Sequence, residues 1–316
     1  MTCPVSHRPS DTESTRAGVP TASSARTPSA PADIADRFER AAGSIFVGLF
    51  VAGLFDQAML PPVSAALEDT GRIRNAPWER GLRTAASDQI AFYGDEADRK
   101  AEMERLKRLH RDVKGVGAEG VRYSALNPES WNWIMISTFF VYRSAFVTIT
   151  GEQPSATEDQ AIWDRFRQLT EGLQLPGGSR LIESYDELCT YYDRMAAETL
   201  EATSTLECAV RHVLQPARPD VLPALMAPVW KLTAPMIGHV LGVLGFGIMR
   251  PEVRALVPMK WTRRHDREFA ILTTTVRLAY GWLPTRFTDT PLARNRREYQ
   301  RLIEKYRGIE LTSFAP

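Results

Sequence analysis

A charged amphipathic helix is predicted for the stretch 103–115, which reads Met-Glu-Arg-Leu-Lys-Arg-Leu-His-Arg-Asp-Val-Lys-Gly. Four positions share one helical face at spacings of three, four and three: Met103, Leu106, His110 and Val113. Gly115 is expected to stop the helix. A histidine on such an apolar face is either a hydrogen-bonded core residue or a metal ligand, and its position alone favours the core.

The same spacing of three and four runs through most of the chain from about Ala35 onward, without sustained strand-like alternation, so the predicted fold class is all-α. Pro61-Pro62 is expected to close a first long helix, and Asn75-Ala76-Pro77 to open the next. Asn127-Pro128 and the capping box Ser155–Glu158 should begin two further helices.

Five prolines between 216 and 235 are expected to break the chain into short helices: Pro216, Pro219, Pro223, Pro228 and Pro235. Two amphipathic helices should follow, near 265–283 and 291–306. No internal repeat and no strong boundary divides the chain. We therefore expect one helical domain over 34–310, after a disordered tail over 1–33 that is rich in Ser, Thr, Pro and Ala.

The composition of the chain limits which partners it is expected to bind and in which cellular compartment it is expected to occur. The chain has 39 Lys+Arg against 38 Asp+Glu, a net charge of +1, so no global field favours nucleic acid. The most apolar run, Ile45–Phe55, is too short to span a bilayer, and we expect a buried core helix and no integral membrane segment. The tail lacks the pattern of a secretory leader, and the three scattered cysteines fit a reducing cytoplasm. The residues indicate no oligomeric state.

Several familiar sites are not supported. The string Gly115-Val-Gly-Ala-Glu-Gly120 follows a predicted helix rather than a strand, which disfavours a dinucleotide site. The carboxylates between Glu183 and Glu201 lack the paired Glu-x-x-His motifs of a di-iron bundle and fit a solvated helix face. Gly242, Gly245 and Gly247 more often loosen or end a helix than bind a ligand.

A second cluster lies in the helix opened by Pro77. Four polar residues spaced three or four apart share one side of that helix: Arg80, Arg83, Thr84 and Ser87. Two arginines and two hydroxyls on one face form either a solvated surface or a wall that binds anions and oxygen, and the residues alone favour the surface.

Taken together, these motifs resemble a known family. The succession Leu60-Pro-Pro-Val63, Arg80-x-x-Arg-Thr84, Tyr93-Gly-Asp95, His110-Arg-Asp-Val-Lys-Gly115, Tyr123-Ser-Ala-Leu-Asn-Pro128 and Trp133 is similar to the shared catalytic domain of rubber oxygenase (latex clearing protein) and MpaB-type oxygenases. The similarity extends over most of 38–306. Its specific part is the block from Arg80 to Pro128.

The resemblance implies a helical fold around heme b, with His110 as the proximal iron ligand and with Arg80 and Thr84 beside the distal face. A lysine that can reach the iron takes the place of Arg83 in rubber oxygenase. An arginine stays protonated and has no lone pair to donate, so we expect the distal position to be left to water or dioxygen. Met135 replaces a histidine of many relatives and is expected to be a core residue, and His239 is the second candidate ligand.

The resulting hypothesis is a heme-dependent oxygenase in which Arg80, Arg83 and Thr84 act on dioxygen. The apolar segment 45–60 and the helix of Trp131 and Trp133 should wall the pocket, which predicts a small apolar substrate such as an alkene, isoprenoid or aromatic metabolite. Two alternatives stay open. One is a non-catalytic heme carrier or sensor, and the other is a heme enzyme of the peroxidase, dehydrogenation or rearrangement type.

Overall fold

A computed structural model describes residues 31–71, 77–175, 180–220 and 222–309, with only the backbone described for 31–32 and 77–80. The first half contains α1 (Pro31–Ala42), a long 3₁₀ helix (Ile45–Met59), α2 (Pro61–Asp69), α3 (Pro77–Tyr93), α4 (Glu96–His110), β1 (Lys114–Val116), β2 (Arg122–Ser124), α5 (Pro128–Thr150) and α6 (Ala156–Leu169). The second half contains a 3₁₀ turn (Glu171–Leu173), α7 (Tyr185–Glu198), α8 (Ser204–Leu214), a second 3₁₀ turn (Ala224–Met226), α9 (Ala227–Gly247), α10 (Pro251–Arg254), α11 (Arg263–Trp282), α12 (Thr285–Thr288) and α13 (Pro291–Arg307).

The predicted all-α class is confirmed. Helix starts at Pro61, Pro77 and Pro128 agree with the proline signals, since proline at the first helical position lacks an N–H that has no helical partner there. The side chain of Asn127 accepts from the backbone N–H groups of Glu129 and Ser130, and the predicted capping box of Ser155 and Glu158 is formed. Apart from residues 31–33, where α1 begins, the expected tail lies outside the described residues.

Two expectations about the secondary structure were wrong. The helix that carries His110 ends at that residue, and 114–116 instead pair with 122–124 as a short antiparallel hairpin. Gly120 adopts φ +80° in its turn, which explains the glycine-rich string without a nucleotide. Residues 227–247 form one continuous helix that begins around Pro228 and contains Pro235, rather than several short ones.

The centre of the core is α5, most of whose side chains are buried. The long 3₁₀ helix, α1, α6 and α11 pack against it. Because α5 is buried on nearly all sides, its polar side chains must find partners within the protein. Three acids from three other elements meet this need: Asp56 pairs with Ser137, Asp88 with Tyr142, and Asp159 with Arg143.

The segment predicted as a first core helix is a fifteen-residue 3₁₀ helix. Runs of this geometry beyond three or four residues are uncommon, and its side chains repeat every three residues. A buried stripe follows that repeat: Phe50, Gly53, Asp56 and Met59. The period of three in the sequence therefore matches the geometry that the segment adopts.

Glycine allows α9 to lie directly against the long 3₁₀ helix. A Cβ placed on Gly245 would lie 2.4 Å from the Cβ of Ala52, and one on Gly247 would lie 2.2 Å from the ring of Phe269 in α11. Real Cβ atoms do not approach so closely. These glycines thus serve close packing within a helix that continues through Gly242 and Gly245 and ends at Gly247.

Two helices in the described part of the chain are long and apolar enough to cross a membrane, Pro128–Thr150 and Ala224–Gly247. The first window is 72% buried inside the protein, as befits the core helix α5, and the second is 39% buried. The long 3₁₀ helix and α2 pass the same test only as a pair bent by 105°. By length and composition, the candidates to cross a membrane are therefore these two helices rather than the run 45–55 on which the expectation of no membrane-spanning segment was based.

Gly245→Ala should destabilise the protein, because the added methyl group must force α9 away from Ala52. We expect a loss of about 1–3 kcal/mol in the free energy of unfolding, the usual cost of overpacking a core. Denaturant unfolding followed by circular dichroism measures it.

Gly281→Ala is the matched control, since Gly281 is an exposed glycine of α11 with no atom within 4 Å of its would-be Cβ. This variant should be neutral or gain up to about 1 kcal/mol from helix propensity. Equal effects at the two positions would show that contact with the 3₁₀ helix is not what requires glycine at 245.

Candidate functional site

Helices α3 and α4 form an antiparallel hairpin that positions the predicted residues. Its turn is set by Asp95, whose side chain accepts from the backbone N–H of Asp98 at 2.8 Å. Across the hairpin, the hydroxyl of Ser87 donates to Glu102 at 2.5 Å, and Arg105 binds the same carboxylate. The Arg105 guanidinium lowers the pKa of Glu102 and keeps it ionised.

This pairing fixes the register of the hairpin. Seven residues before Ser87 lies Arg80, and seven residues after Glu102 lies Leu109. Because the two helices are antiparallel, seven residues back along α3 and seven residues forward along α4 both lead about 10 Å away from the turn of the hairpin. The hairpin therefore brings the stretch Arg80–Thr84 to the end at which His110 lies.

His110 is the last residue of α4 and is half-buried. Its Nδ1 lies 2.7 Å from the carbonyl oxygen of Leu106, one helical turn earlier. A carbonyl can only accept, so Nδ1 carries a proton, and in the neutral form of the ring the lone pair is on Nε2. The C-terminal end of a helix also favours positive charge, which suits a cationic metal centre beside this ring.

Trp131 packs edge-on against His110, with the ring centroids 5.4 Å apart and the planes at 83°. Its indole Nε1–H donates to the carbonyl oxygen of Leu173 at 2.7 Å, which holds the ring in place. The first turn of α5 therefore supports one side of the imidazole.

The other predicted residues lie on α3. Arg83 and Thr84 are both exposed, and the side chain of Arg80 lies outside the described residues although its backbone belongs to the helix. Leu82 and Leu109 contribute apolar surface at the same end of the hairpin, with 66% and 47% of their area exposed.

The donor chemistry at His110 fits a heme. Metal-binding histidines almost always donate their second ring N–H to a backbone carbonyl or carboxylate, which orients the ring and raises its basicity. The Nδ1 contact with Leu106 is such a bond. An imidazole prepared in this way, with the Trp131 indole against one side, is suited to hold a heme iron.

Two alternative ligands are placed elsewhere. Met135 is 5% exposed within the main core cluster, as expected for a packing residue. His239, the second candidate, lies on α9 and binds Glu268 of α11 through Nε2 at 2.8 Å. The carboxylates between Glu183 and Glu201 are solvated as predicted, since all six are exposed: Glu183, Asp186, Glu187, Asp193, Glu198 and Glu201.

Sequence reasoning missed two titratable groups beneath the core helix. Asp56 is 1% exposed and accepts from Ser137 at 2.5 Å and from Tyr192 at 2.9 Å. Burial raises its pKa to about 6, against the opposing effect of these hydrogen bonds. Burial likewise raises the pKa of Asp88 to about 7, where its partner is Tyr142. The only signal was an aspartate directly after the apolar run 45–55.

A carboxyl group with a pKa near neutrality is a candidate general acid or base. Asp56, however, adjoins a cavity of only about 20 Å³, enclosed by groups that include Phe140, Tyr192 and Arg250. Such a space holds about one water molecule and no organic substrate. We therefore assign Asp56 to the structure of the core rather than to catalysis.

Asp56→Asn should change how stability depends on pH. Because the folded-state pKa lies above the ordinary value of 3.8, the folded protein binds more protons, and its stability falls as the pH rises from about 4 to 6. The full shift corresponds to about 3 kcal/mol at roughly 1.4 kcal/mol per pKa unit. The asparagine variant should lose that much less free energy of unfolding over this range, as measured by urea titration at each pH.

Glu198→Gln, at an exposed position of α7, is the control and should keep the wild-type pH profile. An Asp56→Asn profile that also parallels the wild type would refute the raised pKa.

Most of the chain matches a known protein family. The model of the family described as ER-bound oxygenase mpaB/B′/rubber oxygenase, catalytic domain, matches residues 37–278. This chain belongs to that family. The match includes α3, α4 and α5 and therefore every residue of the candidate site.

Two members of the curated set are also similar to this oxygenase-family chain. They are an uncharacterized protein of Mycobacterium bovis and one of Mycobacterium tuberculosis, each 25% identical over 247 residues, which is 78% of this chain and 89% of the relative. No solved structure gives a significant match.

Proposed function

We propose that this member of the MpaB/rubber oxygenase family is a heme b-dependent oxygenase that acts, with dioxygen, on an apolar small molecule. The observation that carries the proposal is the ring of His110, whose Nδ1 donates to Leu106 and whose Nε2 therefore holds the lone pair. Membership of an oxygenase family supports the reaction class. Heme b, when bound, supplies the redox centre that activates dioxygen.

The chain's own residues supply position and electrostatics. His110 would hold the iron from one side, with its ring orientation set by Leu106 and Trp131. Arg80 and Thr84 would donate hydrogen bonds to dioxygen as negative charge builds on it, a form of preorganised stabilisation. Arg83 adds positive charge but cannot bind the iron, because its guanidinium stays protonated.

The proposed substrate class follows from the apolar surroundings. Leu82, Leu109 and Trp131 lie at the same end of the hairpin as His110, and the exposed groups among them offer no fixed charge. Sites for small molecules are lined mostly by such side chains, with few polar groups to fix orientation. An alkene, isoprenoid or aromatic metabolite fits this surface better than a charged one.

His110→Gly should abolish stable heme binding, because it removes the only proposed protein ligand while glycine suits the end of a helix. The purified, heme-reconstituted wild type should show an intense heme absorption band, and the variant should lack it. Imidazole added in solution should restore the band by occupying the space of the missing ring.

His239→Ala is the control and should keep the heme band. Full heme retention by His110→Gly would refute the assignment of the ligand. Loss of heme in both variants, together with loss of helical circular dichroism, would instead identify a folding defect.

Arg83→Lys should add a second protein ligand to the iron, on the side opposite His110. A lysine amine can lose its proton and donate a lone pair, so the variant is expected to convert a five-coordinate or water-bound heme spectrum into a six-coordinate low-spin one at alkaline pH. Arg108→Lys, an exposed position of α4, should leave the spectrum unchanged. Identical spectra for wild type and Arg83→Lys would contradict the placement of Arg83 beside the distal face.

Two other functions share these residues and are separated by turnover. An oxygenase consumes dioxygen with an isoprenoid alkene and transfers labelled oxygen into the product. A heme enzyme of the peroxidase or dehydrogenation type turns over without incorporating the label. A carrier or sensor binds heme but shows no oxygen uptake, and its output is unaffected by Arg80→Ala.

A further inference from the structure

We infer that α9 and α11 together hold a second metal site, for one Zn²⁺-like transition-metal ion, built by His239, His265 and Glu268. The ligand atoms of these three residues all lie within 4.8 Å of one another. None of them belongs to the group around His110, so the inference does not rest on the proposed heme function.

The local sequence brings the ligands together. His265 and Glu268 are three residues apart in the first turns of α11, so they project from the same side of that helix. His239 faces them from α9, with its ring centroid 5.8 Å from that of His265. The two helices are held in close contact where Phe269 lies against Gly247. The triad is thus mounted on packed helices rather than on loops.

Only a small movement of the side chains is needed for an ion to bind. His239 Nε2 and Glu268 Oε2 are 2.8 Å apart. Two ligands on one tetrahedral ion with bonds of about 2.0–2.1 Å lie roughly 3.3 Å apart, so the pair must open by only about half an ångström. Side-chain rotation of His265 completes the site.

Two of the three ligands, Glu268 and His265, already have an orienting partner outside the triad. The second carboxylate oxygen of Glu268 accepts from Arg264 Nε at 2.7 Å, which holds the carboxylate in place. His265 Nδ1 accepts from the backbone N–H of Thr262 at 3.1 Å. Metal binding through Nε2 would move the ring proton to Nδ1, where the Thr262 hydroxyl, 3.2 Å away, can accept that N–H in place of the backbone contact. Such second contacts are typical of metal-binding histidines and carboxylates.

The donor set selects the class of metal. Calcium and magnesium take six or more oxygen ligands, whereas this site has one carboxylate and two imidazoles. The arginines on the same turns, Arg263, Arg264 and Arg267, make the surroundings unfavourable for a cation held by charge alone. Two imidazoles and one carboxylate suit zinc, cobalt or nickel, which bind nitrogen strongly.

Three protein ligands leave at least one coordination position for water or another small ligand. The triad is partly exposed, with 41% of the His239 side chain and 25% of that of Glu268 accessible. Trp261 lies 5.3 Å from His265, ring to ring, and also lines an open hollow of about 470 Å³ with Arg254, Lys260 and Met259. The ion would therefore clamp α9 to α11 at the edge of a solvent-accessible hollow.

Metal titration of the full chain tests the site. The protein is purified without a polyhistidine tag, in its heme-free form, treated with EDTA and dialysed, then titrated with Co²⁺ and with Zn²⁺. We expect one ion per chain, visible d–d absorption from Co²⁺, and a rise in melting temperature with Zn²⁺. His239→Ala, His265→Ala and Glu268→Gln should each weaken Zn²⁺ binding at least tenfold and remove that rise.

His212→Ala is the matched control, because His212 is a half-buried histidine of α8 whose Nδ1 is bonded to the carbonyl oxygen of Cys208. It should bind Zn²⁺ like the wild type. Equal affinity in the three triad variants and the wild type would overturn the site, as would weak binding of several ions. Heme reconstitution of Glu268→Gln should proceed normally, so failure of this inference and failure of the proposed function are distinguishable.

Discussion

The burial of α5 on almost all sides is the constraint on which the rest of the structure depends. A helix in that position cannot leave Ser137, Tyr142 or Arg143 without a partner, because an unpaired buried polar group costs about 1–3 kcal/mol. The partners are acids from the long 3₁₀ helix, α3 and α6. These bonds fix where the three elements lie around the core helix. Burial raises the pKa of all three acids, against the opposing effect of these bonds, so the acids that hold the three elements in place also tie stability to pH.

The bond between Asp88 and Tyr142 reaches the candidate site through α3. It sets the rotation of α3 against the core, and one residue earlier Ser87 is bonded across the hairpin to Glu102 of α4. Because α3 is held on both sides, the stretch that ends at Thr84 is directed to the same end as His110. The site is thus assembled from exposed residues that are positioned by buried ones. Few of those buried bonds could be inferred from spacing, since Asp88 and Tyr142, for example, are 54 positions apart in the chain.

Local signals predicted the helix starts well, because the caps at Asn127 and Ser155 depend on neighbouring residues alone. Contacts between residues far apart in the chain decided where other helices continue or end. Pro235 was expected to end a helix, but the contacts of α9 with the long 3₁₀ helix and with α8 offset the lost backbone bond. The role of His110 could be stated only through the resemblance across Arg80–Pro128. Its Nδ1 bond and the grouping of His239 with Glu268 required coordinates, since a single sequence shows neither tautomer nor contact.

The 3₁₀ geometry of the segment Ile45–Met59 sets how far its two ends lie apart. A 3₁₀ helix advances about 2.0 Å per residue and an α-helix about 1.5 Å, so fifteen residues extend roughly 30 Å instead of 22 Å. The same fifteen residues therefore reach about 8 Å farther as a 3₁₀ helix than they would as an α-helix. An α-helical form of the same residues would be too short to keep Ser44 and Leu60 where their neighbours need them. The length of this 3₁₀ helix, rather than the chemistry of its side chains, thus sets the separation of α1 from α2.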